Sequence, residues 1–298
     1  MSKKLKIYVS ISVSMIFWGM SYIWTDMLLR TKYQPLSIIF IRIVIASIIL
    51  SIIAKAFGKL QKIQKGDFKW FLLMATLEPF LYFIGETYGI QITASPTLAA
   101  VMISTVPLFS PFAAYYFYKE RIGLQNYIGI ALSVIGVCTV IFHNGMEEVN
   151  AQIVGILLLL IAVASSLFYS IVIKKLADNY NPFTIISYQN IIGIISFLPL
   201  FLFIDYKNFI TIPFSIQNVY PFFMLALFAS GVAFILFVYV IKEIGVVRSN
   251  IFVTLIPVIT AIFCFILGTE KISFLRTIGI CLVVTGLILS QLKSHKSH

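Results

Sequence analysis

PLFSPFAAYYFYKERIGLQNYIGIALSVIG, Pro107 to Gly136, has a counterpart in PVITAIFCFILGTEKISFLRTIGICLVVTG, Pro257 to Gly286. In each stretch a proline is followed thirteen residues later by an acid and a base, Glu120-Arg121 or Glu270-Lys271, and then by two glycines, Gly129 and Gly136 or Gly279 and Gly286. All these pairs are offset by 150 residues in a chain of 298, so the chain reads as two homologous halves, 1–143 and 144–298. Phe17-Trp18-Gly19 falls on Leu167-Phe168-Tyr169 at the same offset, and Pro35-Leu36-Ser37-Ile38-Ile39 falls on Pro182-Phe183-Thr184-Ile185-Ile186 at 147. An apolar chain matches itself by chance at Ile, Leu, Phe and Val, so the weight rests on the Pro, Gly and Glu coincidences.

Hydrophobic residues make up 60% of the chain and charged residues 11%, where a soluble domain has about a quarter charged. The chain therefore reads as all-α and integral to a membrane. Ten continuous apolar runs are long enough to cross about 30 Å of hydrocarbon: 7–29, 36–56, 70–91, 95–118, 123–142, 153–174, 182–204, 219–241, 246–267 and 273–292. None alternates, which excludes barrel strands.

The formal charge of +11 invites a nucleic-acid reading until the basic residues are placed. With the N-terminus inside, sixteen fall on the cytoplasmic side, the largest group being Lys55, Lys59, Lys62, Lys65 and Lys69. Five fall outside, namely Arg30, Lys32, Lys207, Lys271 and Arg276, and Arg42 is left within a span. That bias predicts cytoplasmic termini and accounts for the charge with membrane lipids and no nucleic acid as partners. Lys3, Lys4 and Lys6 precede an apolar run too long for a signal peptide and without a small-residue cleavage site, so the run is expected to stay as the first helix. Cys138, Cys264 and Cys281 lie inside apolar runs with no paired spacing and read as small hydrophobes.

Polar groups in the runs nominate a site. Trp18 and Tyr22 are one turn apart near mid-span and either line a cavity or pack in the bundle. Arg42 lies about 9 Å below the outer end of its run, at 1.5 Å per residue, a depth at which a charge rarely faces lipid. Glu78, Tyr82 and Glu86 are spaced i, i+4, i+8 beside Pro79, with Gly85 and Gly89 forming a small-residue packing face. Glu86 sits at a depth that lets it pair with Arg42; a structural ion pair and a substrate contact both fit. Ala100, Ser104, Pro107 and Pro111 share one face of the fourth run, and Asn250, Thr254, Pro257 and Ala261 share one face of the ninth. Small and polar groups at matched places in two repeats suit helices lining a substrate site, although close packing uses small residues too. The second half is poorer in charge: Gln189 replaces Arg42, and Ser165, Ser166, Tyr169 and Ser230 are its polar features.

Two five-helix repeats with Trp-Gly in the first helix, Arg in the second, mid-span Pro in the fourth and ninth, Glu before the fifth and tenth and paired glycines after it resemble the drug/metabolite transporter superfamily, specifically its EamA family. The resemblance implies ten transmembrane helices as two inverted five-helix repeats around a central cavity. It implies alternating access and, commonly, export of amino acids or related metabolites. Carried onto this sequence, the family's motif positions are Pro107, Glu120, Pro257, Glu270 and Arg42. Phe168-Tyr169 and Gln189 depart from the pattern in the second half, and Glu78 adds an acid. Five spans per repeat, an odd number, independently require the halves to insert with opposite orientation.

The expected function is a secondary transporter, an exporter of a small polar metabolite across the inner or plasma membrane. Trp18, Tyr22, Arg42, Glu78, Tyr82, Glu86, Ser104, Asn250 and Thr254 are its candidate substrate-binding residues. Aromatic faces with both signs of charge suit a small zwitterion such as an amino acid, and Glu78 is the acid expected to titrate if protons are the coupling ion. A channel or a non-transporting scaffold is the alternative. HExxH, paired-aspartate and GxSxG motifs are absent, so an intramembrane enzyme ranks last and neither cofactor nor metal is expected.

Overall fold

The computed structural model describes residues 2–109, 124–142, 146–213, 215–270 and 273–291. Among them are ten apolar helical segments and no strand: α1 Lys3–Arg30, α2 Pro35–Ala56, α3 Phe68–Thr93, α4 Pro96–Phe109, α5 Leu124–Phe142, α6 Met146–Asn179, α7 Pro182–Phe209, α8 Ile216–Ile244, α9 Val246–Leu267 and α10 Phe274–Gln291. Seven are long and apolar enough to cross a membrane; the apolar stretches Pro96–Phe109, Tyr127–Phe142 and Phe274–Ser290 are shorter. Pro111, Glu120, Arg121 and the C-terminal histidines lie outside the described residues.

Local chemistry sets the ends. The Ser2, Ser95 and Asn181 side chains accept from Leu5, Leu98 and Thr184 N–H and cap α1, α4 and α7, while Pro35, Pro96 and Pro182 occupy the first turn of their helices, where a missing N–H costs nothing. Gly268 ends α9 in the left-handed conformation, φ 63°.

Three spans are not uniform helices. α3 is interrupted by a wide turn, Thr76–Leu81, in which Glu78 is extended (φ −147°, ψ 117°). The i, i+4, i+8 stripe is corrected accordingly: it holds for Tyr82 and Glu86 only, and Glu78 reaches the same side across the break at Pro79. α8 widens into π-helix over Met224–Ala233, and α9 tightens to 3-10 over Phe252–Leu255.

Glycines let helices meet. A Cβ on Gly85 would stand 2.4 Å from the Leu158 carbonyl and one on Gly89 2.7 Å from Leu159, so α3 lies directly on α6, the small-residue packing expected from the sequence. α5 and α10 cross antiparallel with Gly129 against Gly286 and Ser290, and Gly136 against Gly279 and Val283, closed by a 3.1 Å hydrogen bond from Ser133 Oγ to the Val283 carbonyl. α1 packs on α8 and α9, α6 packs on α3 and α4, and α2 pairs with α7. At one end of the bundle Lys3 pairs with Glu243 at 2.7 Å and the α2–α3 loop is tied down, Gln61 N donating to Thr184 Oγ1 and Gln64 N to Tyr180 Oη. At the other end Arg30 Nη2 donates to the Thr269 carbonyl and Glu270 takes hydrogen bonds from Ser95, Thr97 N and Arg276.

Candidate functional site

α1, α2, α3, α4, α6, α8 and α9 surround one cavity. Its atom-free space is about 500 Å³ when the solvent it opens onto is included, and only about 30 Å³ is open to the centre of a water molecule. That is room for a few waters and no metabolite without side chains moving. Seven of the nine candidate residues line it: Trp18, Tyr22, Arg42, Glu78, Tyr82, Glu86 and Asn250.

Arg42, 2% exposed, comes in from α2. Its Nη1 is 3.9 Å from Glu86 Oε2, its Nε donates to Ser230 Oγ at 2.9 Å, and its guanidinium carbon lies 4.1 Å from the centroid of Phe83. Arg42 and Glu86 therefore meet as their matching depths predict, although Nη1 makes no hydrogen bond. Tyr82 Oη, one turn before Glu86, donates to its other oxygen at 3.0 Å. The phenol has one proton, so the 3.3 Å contact between Tyr22 and Tyr82 is donated by Tyr22. Tyr22, Tyr82, Glu86, Arg42 and Ser230 thus form one chain of contacts from α1 through α3 and α2 to α8. The widened turn of α8 makes this possible by turning carbonyls outward: Ala229 accepts from Trp18 Nε1 at 3.3 Å and Ala233 from Ser14 Oγ at 3.0 Å.

Glu78 is different. It is 4% exposed and lines the cavity, yet it accepts no hydrogen bond and makes no ion pair among the described residues.

Ser104 and Thr254 do not line the cavity, a correction with a common cause. In 3-10 geometry side chains three apart eclipse, so in α9 Asn250, Val253 and Ile256 face inward and Thr254 is turned aside into the packing. In α4 the regular helix ends at Ile103, which takes the inward place, and Ser104 Oγ donates to its own turn at the Val101 carbonyl. Pro107 is likewise buried in packing. The lining also includes Ser21, Phe83, Ser166, Tyr169, Phe234 and Phe237, which sequence reasoning left unassigned. For Tyr169 a signal existed: it lies 20 residues before Gln189, the counterpart of Arg42, and donates to it at 2.8 Å.

Buried ionisable groups enclosed by apolar spans define a multi-pass membrane protein with an internal polar cavity. Residues 5–142 and 153–292 each match the EamA-like transporter family, and the chain belongs to that family. An uncharacterized transporter, YetK of Bacillus subtilis (strain 168), is 26% identical over 294 residues, covering 98% of this chain and 88% of the relative. An uncharacterized transporter of Archaeoglobus fulgidus is 24% identical across 98% and 99% of the two chains. A solved crystal structure superposes with a TM-score of 0.70 at 14% identity, covering 97% of this chain and 98% of its own, a likeness of fold.

Proposed function

We propose that this protein is a secondary transporter that exports a small polar metabolite, an amino acid or related compound, by alternating access. The carrying observation is the cavity itself: two carboxylates, one guanidinium and aromatic walls enclosed among helices from both halves of the chain. Burying three ionisable groups within apolar spans is costly and marks a functional site, and a narrow cavity with no continuous water path among the described residues suits a carrier, which isolates its substrate, better than a pore.

The reading takes the chain as two inverted five-helix repeats, 1–143 and 144–298. Support comes from helix pairing: α1 on α8 and α9 matches α6 on α3 and α4 when numbers advance by five, and the α2–α7 and α5–α10 pairs map onto themselves. Both termini are placed in the cytoplasm and the protein in the inner or plasma membrane, on the charge bias. Glu78 is the proposed site of proton coupling: Glu78→Gln abolishes accumulation driven by a pH gradient, and accumulation equal to wild type ends that role. The transport reading is tested in proteoliposomes. Saturable counterflow of labelled amino acids or amines supports a carrier; non-saturable flux points to a channel, and no flux to a scaffold.

A further inference from the structure

Arg42 is the cation a substrate carboxylate would seek, but it is already engaged by the Glu86 carboxylate, the Ser230 hydroxyl and the Phe83 ring. Glu86 is engaged in turn by Arg42 and the Tyr82 phenol. These two charges cancel, and one carboxyl is left over, that of Glu78, buried at the cavity wall with no hydrogen bond or ion pair among the described residues. The rings of Tyr22, Tyr82 and Tyr169 line the same cavity from α1, α3 and α6.

We propose, resting on the transporter reading, that the cavity is an amine site. The ammonium group of a small organic cation docks against Glu78 among the rings of Tyr22, Tyr82 and Tyr169, and a carboxylate on the substrate is dispensable. A lone buried carboxylate needs neutralisation, by a proton or by a bound cation. A zwitterion also brings a carboxylate, for which the cavity offers only an Arg42 whose charge Glu86 already matches; an amine cation needs Glu78 alone. Aromatic faces add attraction for a cation and none for an anion. The same seat then holds either the ammonium or a proton, never both. The determinant of binding is the amine nitrogen, with the remainder of the molecule tolerated as far as the aromatic walls allow.

The test is ligand-induced thermal stabilisation of the purified full-length protein in detergent, titrated with three amines of increasing size (ethylamine, phenethylamine and tryptamine), with phenylalanine and with N-acetylphenylalanine. At least one amine stabilises as strongly as phenylalanine or more, the N-acetylated acid has no effect, and Glu78→Gln weakens amine binding about tenfold, the loss of one charged contact worth about 1.4 kcal/mol. Should Glu78→Gln not fold, Tyr169→Leu leaves the carboxylate and removes one ring, and weakens amine binding several-fold. Binding of the N-acetylated acid in preference to the amines, wild-type amine affinity in whichever variant folds, or no binding by any amine overturns the amine site. None of those results touches the transporter reading, which stands or falls on counterflow of the wider substrate panel.

Discussion

Arg42 illustrates what a charge needs in order to reside inside a bundle of apolar helices: an acid at 3.9 Å, a hydroxyl at 2.9 Å and a ring face at 4.1 Å, contributed by α3 and α8. Removing one partner of a buried pair typically costs about 3–5 kcal/mol because the other charge is stranded. Arg42→Ala and Glu86→Ala should each lower the unfolding temperature strongly, and the double variant should lose clearly less than the two together. Additive losses would mean that the pair contributes nothing. Tyr82→Phe removes the hydrogen bond to the Glu86 carboxylate and the acceptor of the Tyr22 hydroxyl, and should cost about 1.5–3 kcal/mol in the same measurement. The pair was legible in the sequence because a lone Arg and a lone Glu at equal depth have few alternatives. The partners Ser230 and Phe83 were not, since a serine or a phenylalanine in an apolar run is ordinary and only three-dimensional placement distinguishes the one facing the cavity.

Elements were legible as far as their existence and order; their internal irregularities were not. Nothing in MLALFASGVA announces that Met224–Ala233 widens, yet that turn delivers Ser230 to Arg42 and the Ala229 carbonyl to Trp18. The 3-10 turn at Phe252–Leu255 shifts the phase of α9 and exchanges Thr254 for Val253 at the cavity wall. Uniform helical spacing, the only assumption open to a sequence reader, misplaces residues downstream of such turns. Glycine spacing survived because it reports contact instead of phase. A methyl on Gly286 would lie 2.5 Å from Ser133 Oγ and 2.6 Å from the Gly129 carbonyl, with backbone on both sides. Gly286→Ala should therefore destabilise by about 1–3 kcal/mol as α5 and α10 are forced apart, read as earlier thermal unfolding in detergent. Gly66, which has nothing within 4 Å, is the control, and Gly66→Ala should leave the transition in place.

For the whole molecule, the proposed topology assigns the two ends of the bundle to opposite sides of the membrane. Lys3, Gln61, Gln64, Tyr180 and Glu243 gather at one, and Arg30, Ser95, Glu270 and Arg276 at the other. Cysteines placed at Lys62 and Lys207, both exposed, should label from opposite sides, position 207 alone reacting with an impermeant reagent on intact cells. Labelling of position 62 from outside would reverse the topology. The glycine seam between α5 and α10 also bears on how the molecule is made. Ser133 and Val283, which bond across it, are 150 residues apart. At about 5–20 residues per second of synthesis, α5 sits in the lipid for roughly eight to thirty seconds before α10, which covers its glycine face, is made. The first half is thus an unfinished product until the last helix arrives. Chains truncated before α10 should be cleared by membrane proteases, and supplying the second half as a separate polypeptide should rescue them.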